Sequence, residues 1–156
     1  MSGWERVRDL ERMTQRSSRA FVAMSFSAAL RPAWMDGIRP ALRNTGYDPV
    51  RVDEVQHNGK IDDQIVAELK LAGLVVADFT DHRPGVYFEA GFALGRSVPV
   101  IWTCRTSDVE KAHFDTRQYN HITWDSPVEL RDKLEHRIRA TLPYSSPRPE
   151  PEGTDA

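Results

Sequence analysis

Apolar residues along the chain alternate between short unbroken runs and stretches that repeat every three to four positions. Ala20-Phe21-Val22-Ala23-Met24 is the first run and predicts a strand, with Ser25, Phe26 and Ser27 as its exit loop. Trp34, Ile38 and Leu42 then recur at four-residue spacing and predict a helix over 30–44. Pro40 inside it should cost a hydrogen bond and bend it, and Gly46 suits the C-terminal cap. Residues 47–52 predict a second strand, and Pro49 within it points to a sheet edge. After a polar loop over 53–59, Ile61, Ile65 and Leu69 mark a helix that stops at Gly73. Leu74-Val75-Val76-Ala77 is the kind of run found where a parallel strand is covered on both faces. Pro84 fits the first turn of the next helix, where its missing N–H is not needed, and Gly95 ends that helix. Residues 98–102 and 120–124 predict the fourth and fifth strands, with 103–119 irregular between them. Ser126-Pro127-Val128-Glu129 is a capping box, and Leu130, Leu134, Ile138 and Leu142 carry the last helix.

Strands alternating with helices imply a parallel sheet with helices on both faces. Five strands suggest a flavodoxin-like three-layer sandwich with strand order 2-1-3-4-5. Ligands of such sheets bind beyond the carboxyl ends of the strands, where the order reverses. That rule puts Ser25, Phe26 and Ser27 beside Asp78, Asp81 and Glu89. Gly91, Ala93 and Gly95 carry little or no side chain, so their helix is expected to lie very close to the sheet.

Composition sets the bounds around this core. A chain of 156 residues has room for one domain with a proper core, here 20–142. Residues 1–19 place Trp4, Val7, Leu10 and Met13 at roughly helical spacing, which fits an amphipathic helix or, equally, a loosely held leader. Residues 143–156 are Pro, Ser and Glu with almost nothing apolar, the composition of a disordered tail. With 28% charged residues and a net charge of −2, no strong field favours a nucleic acid polymer or an anionic membrane. Neither a membrane-length apolar run nor a signal-peptide pattern is present, so the expected setting is cytoplasmic. The single Cys104 excludes an internal disulfide and a Cys-based zinc site, and the five histidines show no metal-ligand spacing. No metal and no cofactor are expected.

Candidate chemistry concentrates at the end of the third strand. Asp78, Thr80 and Asp81 put carboxylates and a hydroxyl there, and Glu89 follows on the next helix. An acid in a helix's early turns favours the helix by less than ~1 kcal/mol, and for Glu89 alone that explanation would suffice. Tyr87, Phe88 and Gly91 around it, behind Asp78, favour a catalytic role. Asp78 could cap the turn through its own side chain. As a phospho-acceptor of receiver type it would need an acidic pair after the first strand, where Met24-Ser25-Phe26 stands. Ser25 and Ser27 suit a phosphate or sugar, and helix capping explains them equally well. Arg51, Asp53 and Asn58 lie where the second strand's loop could reach the same ligand.

Val76-Ala77-Asp78-Phe79-Thr80, then Pro84 to Gly95 reading Pro-Gly-Val-Tyr-Phe-Glu-Ala-Gly-Phe-Ala-Leu-Gly, then Val98-Pro99-Val100-Ile101, resembles the nucleoside 2-deoxyribosyltransferase-like family. That family is structurally similar to TIR domains. The resemblance extends more weakly from Phe21 to about Leu142. It implies the same strand order and an attack by Glu89 on C1′ of a nucleoside sugar, with Asp78 assisting. Tyr87 would position Glu89, and Asp81 lies in the loop where members carry a further carboxylate. The Gly/Ser/Arg-rich first loop of the nucleotide-monophosphate hydrolases in this group is missing here. The function so implied is cleavage or transfer of an N-glycosidic bond in a nucleoside, nucleotide or related dinucleotide. Substrate contacts would come from Ser25, Phe26, Ser27, Asp81 and Asp53, and the partner would be a second copy in a homodimer or larger homo-oligomer. Two alternatives stand beside it: a module that senses a nucleotide without chemistry, and a TIR-like effector domain that consumes NAD on assembly.

Overall fold

The strands are β1 (Arg19–Ala23), β2 (Asp48–Val50), β3 (Leu74–Asp78), β4 (Val100–Arg105) and β5 (Ile122–Trp124). They form one sheet, all pairs parallel, in the order β2-β1-β3-β4-β5. The helices are α1 (Arg39–Asn44), α2 (Asp63–Leu71), α3 (Pro84–Gly95) and α4 (Pro127–Thr141). This computed structural model describes residues 17–52, 63–111 and 120–142. The expected N-terminal amphipathic segment up to residue 16, Asp53, the start of the second-strand loop helix, residues 112–119 and the tail lie outside the described residues.

Strand alternation sorts the core into two layers. Ala20, Val22, Leu74, Val76, Ile101, Ile122 and Trp124 face α1 and α4, whose Leu42, Leu130, Leu134 and Ile138 fill that side. Phe21, Ala23, Val75, Ala77, Trp102 and Cys104 face α2 and α3, which contribute Ile65, Leu69, Val86, Ala90 and Ala93. The result is the flavodoxin-like arrangement expected from the periodicity, with helices on both faces. Among the described residues, no helix is long and apolar enough to cross a membrane.

Both sheet edges are guarded. Pro49 lies in β2, the edge strand at one side, as its missing N–H requires. At the other edge, two α4 side chains cover outward carbonyls: Lys133 donates to Thr123 O at 2.7 Å and Arg137 to Asn120 O at 2.6 Å. Such capping blunts a strand edge that could otherwise pair with another chain.

Local geometry refines three expectations. Pro40 stands in a continuous helical stretch, where a π-helical turn over Ala33–Ile38 runs directly into α1. Arg39 N–H reaches back to Trp34 O, so the wide turn closes just before the residue that cannot donate. Gly95 is the last residue of α3, as expected, and the left-handed residue that follows is Ser97 with φ of 60°. Gly91 and Gly95 do not bring α3 onto the sheet, since a Cβ at either would meet open space, whereas Ala93, as expected, and Ala90 are fully buried there. Strand ends also shift, most of all in β4, which runs on through Thr103 and Cys104 to Arg105.

Gly73 carries the opposite constraint, since a Cβ there would collide with the backbone oxygen of Ser17. Gly73→Ala is therefore expected to lower stability by about 1–3 kcal/mol, as overpacking against backbone does. Gly91→Ala, in an exposed helix interior, should raise it by up to about 1 kcal/mol. Urea midpoints of the two variants against the parent measure the contrast, and equal shifts would contradict it.

Candidate functional site

Asp78 ends β3, and its side chain points to the α1/α4 side, in step with Leu74 and Val76. It is fully buried. One carboxylate oxygen accepts from Thr103 Oγ1 at 2.5 Å and from Trp124 Nε1 at 3.0 Å; the other accepts from Thr80 N at 3.0 Å. Thr103 belongs to β4 and Trp124 to β5, so one acid ties together the carboxyl ends of three adjacent strands. Burial pushes its pKa above the ordinary carboxylate value, while the bonds from Thr103, Thr80 and Trp124 pull it back down.

The loop after β3 is tightly wound. Asp81 and His82 both adopt positive φ, 70° and 48°, a region that costs non-glycine residues backbone energy and recurs at functional sites. His82 N–H bonds to Phe79 O at 2.9 Å and Thr80 Oγ1 accepts from Arg105 N at 2.9 Å, which fixes the turn on the sheet. Asp81 Oδ2 in turn accepts from Ser27 Oγ at 2.9 Å, joining the exits of β1 and β3 at the point where the strand order reverses.

From Ser27 a chain of contacts continues toward β2. Ser27 N donates to Ser25 Oγ at 3.2 Å, and Arg51, just past β2, donates to Ser25 O at 3.2 Å. The Arg51 guanidinium lies 3.6 Å from the centre of the Phe26 ring and 5.2 Å from that of Trp34. Ser25, Phe26, Ser27 and Asp81 thus come together in one place, with Arg51 added.

Glu89 lies in the second turn of α3, on the stripe that faces the sheet with Val86, Ala90 and Ala93. It is 2% exposed. Tyr87 packs its ring 4.6 Å from that of Phe79, and its hydroxyl is 3.4 Å from His82 Nδ1. Because α3 covers the α2/α3 face and Asp78 points to the other, the two carboxylates lie on opposite sides of the sheet plane.

Other reactive groups are quiet. Cys104 is buried, and burial foremost, with the Asp78 and Asp108 charges, pushes its thiol up to about 12. It stays protonated near neutrality and is a poor nucleophile. Full burial likewise denies Asp78 to an external phosphoryl donor. Among the described residues, no group of three His, Cys, Asp or Glu side chains could hold a metal ion.

Thr103 and Trp124 escaped sequence reasoning as partners of Asp78. The available signal was that Thr103 and Cys104 prolong the apolar run of β4, which would have put Thr103 level with Asp78. No protein-family model matches the chain, and no curated protein matches it significantly.

Thr103→Val removes a donor from a buried carboxylate while keeping shape, and is expected to destabilise by about 1–3 kcal/mol. The sign with pH follows from the raised pKa. The folded protein holds the Asp78 proton more tightly than the unfolded chain, so this group's contribution to stability falls as pH rises from the ordinary carboxylate range through the raised value. Losing the Thr103 bond should widen that window, so the loss should be larger at neutral than at mildly acidic pH. Denaturant midpoints at both conditions measure it, and a pH-independent loss would contradict the assignment.

Proposed function

We propose that the chain cleaves or transfers the N-glycosidic bond of a nucleoside, nucleotide or related dinucleotide, with Glu89 as nucleophile. The observation that carries this reading is a buried carboxylate on the sheet-facing stripe of α3, following a strained turn whose Asp81 is bonded to Ser27 across the strand switch point. Parallel sheets of this kind bind ligands at that crevice.

The chemistry is a two-step displacement. A Glu89 carboxylate oxygen attacks C1′, the C1′–N bond breaks, and its electron pair leaves with the base, which takes up a proton. Water or a second base then attacks C1′ of the glycosyl ester and releases the carboxylate, giving hydrolysis or transfer. Asp81, held by Ser27, would orient sugar hydroxyls. Tyr87, beside His82, would position Glu89 and supply a proton-carrying group. Asp78, whose oxygens are engaged by three donors, would act as the anchor of the strand ends and not as a partner at the sugar.

That last feature favours a second reading, a nucleotide-sensing module. With Asp78 on the other side of the sheet, the strand-end acid does not stand beside Glu89 in the role that glycosidic displacement commonly gives a second carboxylate. A TIR-like consumption of NAD on assembly would use the same Glu89.

Self-association belongs to the proposal. Glu89 is the one charged residue of α3 and is buried, so the helix's outer face carries Phe88, 48% exposed, and Leu94, 42% exposed, with no charge among them. Gly91 and Gly95 leave a shallow groove between those ridges, a shape that can pack on its own copy. Light scattering should give a dimer or larger mass, and Phe88→Glu a smaller one; a monomer mass for the parent across micromolar concentrations would sink this part.

For the chemistry, the protein is incubated with nucleosides, nucleoside monophosphates and NAD, and free base is followed by chromatography. Base release is expected with at least one of them, and Glu89→Gln should lower it by at least about 10³-fold while leaving folding intact. Ligand binding without base release by the unmodified protein would favour the sensing module.

A further inference from the structure

Beyond β4 from the switch point, β5 and α4 enclose a cavity of about 470 Å³ at the outer edge of the sheet. Four-residue spacing along α4 pairs Asp132 with His136 and Lys133 with Arg137, so two rows of side chains line it. His121 and Thr123 line the β5 side, and the buried Ile122 gives it an apolar wall. The charges of this lining are not alike. Asp132 lies 3.3 Å from Arg131, and Lys133 lies 2.6 Å from Glu129, so each is neutralised along the helix. Arg137 is different. Its Nη1 donates to Asn120 O at 2.6 Å, and among the described residues no carboxylate forms an ion pair with it. A guanidinium carries five N–H donors in a planar fork, and the backbone bond uses one of them while fixing the plane.

We propose that this cavity binds a small molecule with an oxyanion head, a carboxylate or a phosphate ester, and that Arg137 takes the head. A planar fork matches two oxygens of such a group and gives charge-assisted bonds. The His136 imidazole, in the same lining, can donate to a further oxygen. Ile122 suits a short carbon skeleton behind the head, and the volume is that of a small-molecule pocket. In a chain of net charge −2 the attraction is local, so the fork's geometry selects the ligand and not a long-range field. The site is independent of the glycosidic reading, since the Ser27–Asp81 bond and α3 with Glu89 belong to other elements.

Binding is measured by calorimetry on the full chain, with inorganic phosphate, citrate and, as a neutral control, glycerol. At least one of the two anions should saturate with a Kd below about 1 mM, and glycerol should not bind. Saturation by phosphate alone would assign the head to a phosphate ester, and by citrate alone to a carboxylate. The affinity should fall as salt rises. Arg137→Gln should weaken binding at least about tenfold, and Arg137→Lys, which keeps a charge and a donor for Asn120 O, should fall between. Because Arg137 also caps β5, His136→Gln serves as a second variant: it leaves both strand caps in place and should weaken binding about threefold. Glu89→Gln should leave the affinity unchanged. No saturation by either anion up to about 10 mM would overturn the proposal. So would an affinity that survives the Arg137 and His136 substitutions, or one lost in Glu89→Gln, which would put the anion at the switch point instead.

Discussion

The buried carboxylate of Asp78 is the interaction on which the upper edge of this sheet depends. Parallel strands do not fix their own ends, because each is followed by a loop that must leave the sheet. Here the acid at the end of β3 draws a hydroxyl from β4, an indole N–H from β5 and a backbone N–H from its own loop onto two oxygens. Burying a carboxylate is expensive unless it is hydrogen-bonded, so the network is stable only with these donors in place. That requirement sets the level at which the loops turn outward. The turn that follows, with Asp81 and His82 in left-handed conformations, starts from this fixed point.

The same arrangement divides labour between the two faces. Strand alternation sends Asp78 toward α1 and α4, whereas α3, with Glu89, covers the opposite side. Asp78 then serves architecture, and Glu89 is the acid to which the proposed chemistry is assigned. Across the switch point the site is assembled from three loop exits, each contributing a short polar segment. The Ser27–Asp81 bond closes the gap between β1 and β3, and Arg51 reaches over from β2. A π-helical turn next to Pro40 sets Trp34 beside that arginine, so a backbone irregularity becomes part of the site's wall.

Much of this was legible in the chain because local chemistry and tertiary structure agree. Pro49 announced an edge strand, Ser126 and Pro127 announced the start of α4, and the apolar runs marked strands whose alternation with helices implied a parallel sheet. In α4 the Ser126 hydroxyl does accept from Glu129 N, although the Glu129 carboxylate reaches Asp125 N instead of the cap's own. What the chain did not disclose has a common cause. Side-chain parity along β3 decides which face Asp78 serves, and motif spacing along a strand and the next helix does not encode it. Gly91 and Gly95 looked like close-packing residues because sequence does not say which side of a short helix meets the sheet. Arg51 lay in a loop whose reach depended on where Phe26 and Trp34 would stand.

The central claim is that Glu89 forms a covalent bond with the sugar. A nucleoside or nucleotide carrying fluorine at C2′ slows both steps and lets the ester accumulate. Incubating the protein with such a compound, digesting it and sequencing the peptides by mass spectrometry tests the claim directly. The account predicts one glycosyl mass added to the peptide containing Glu89, located on that residue and absent from Glu89→Gln. Base release by the parent protein with no adduct at Glu89, or with the sugar on another side chain, would contradict it.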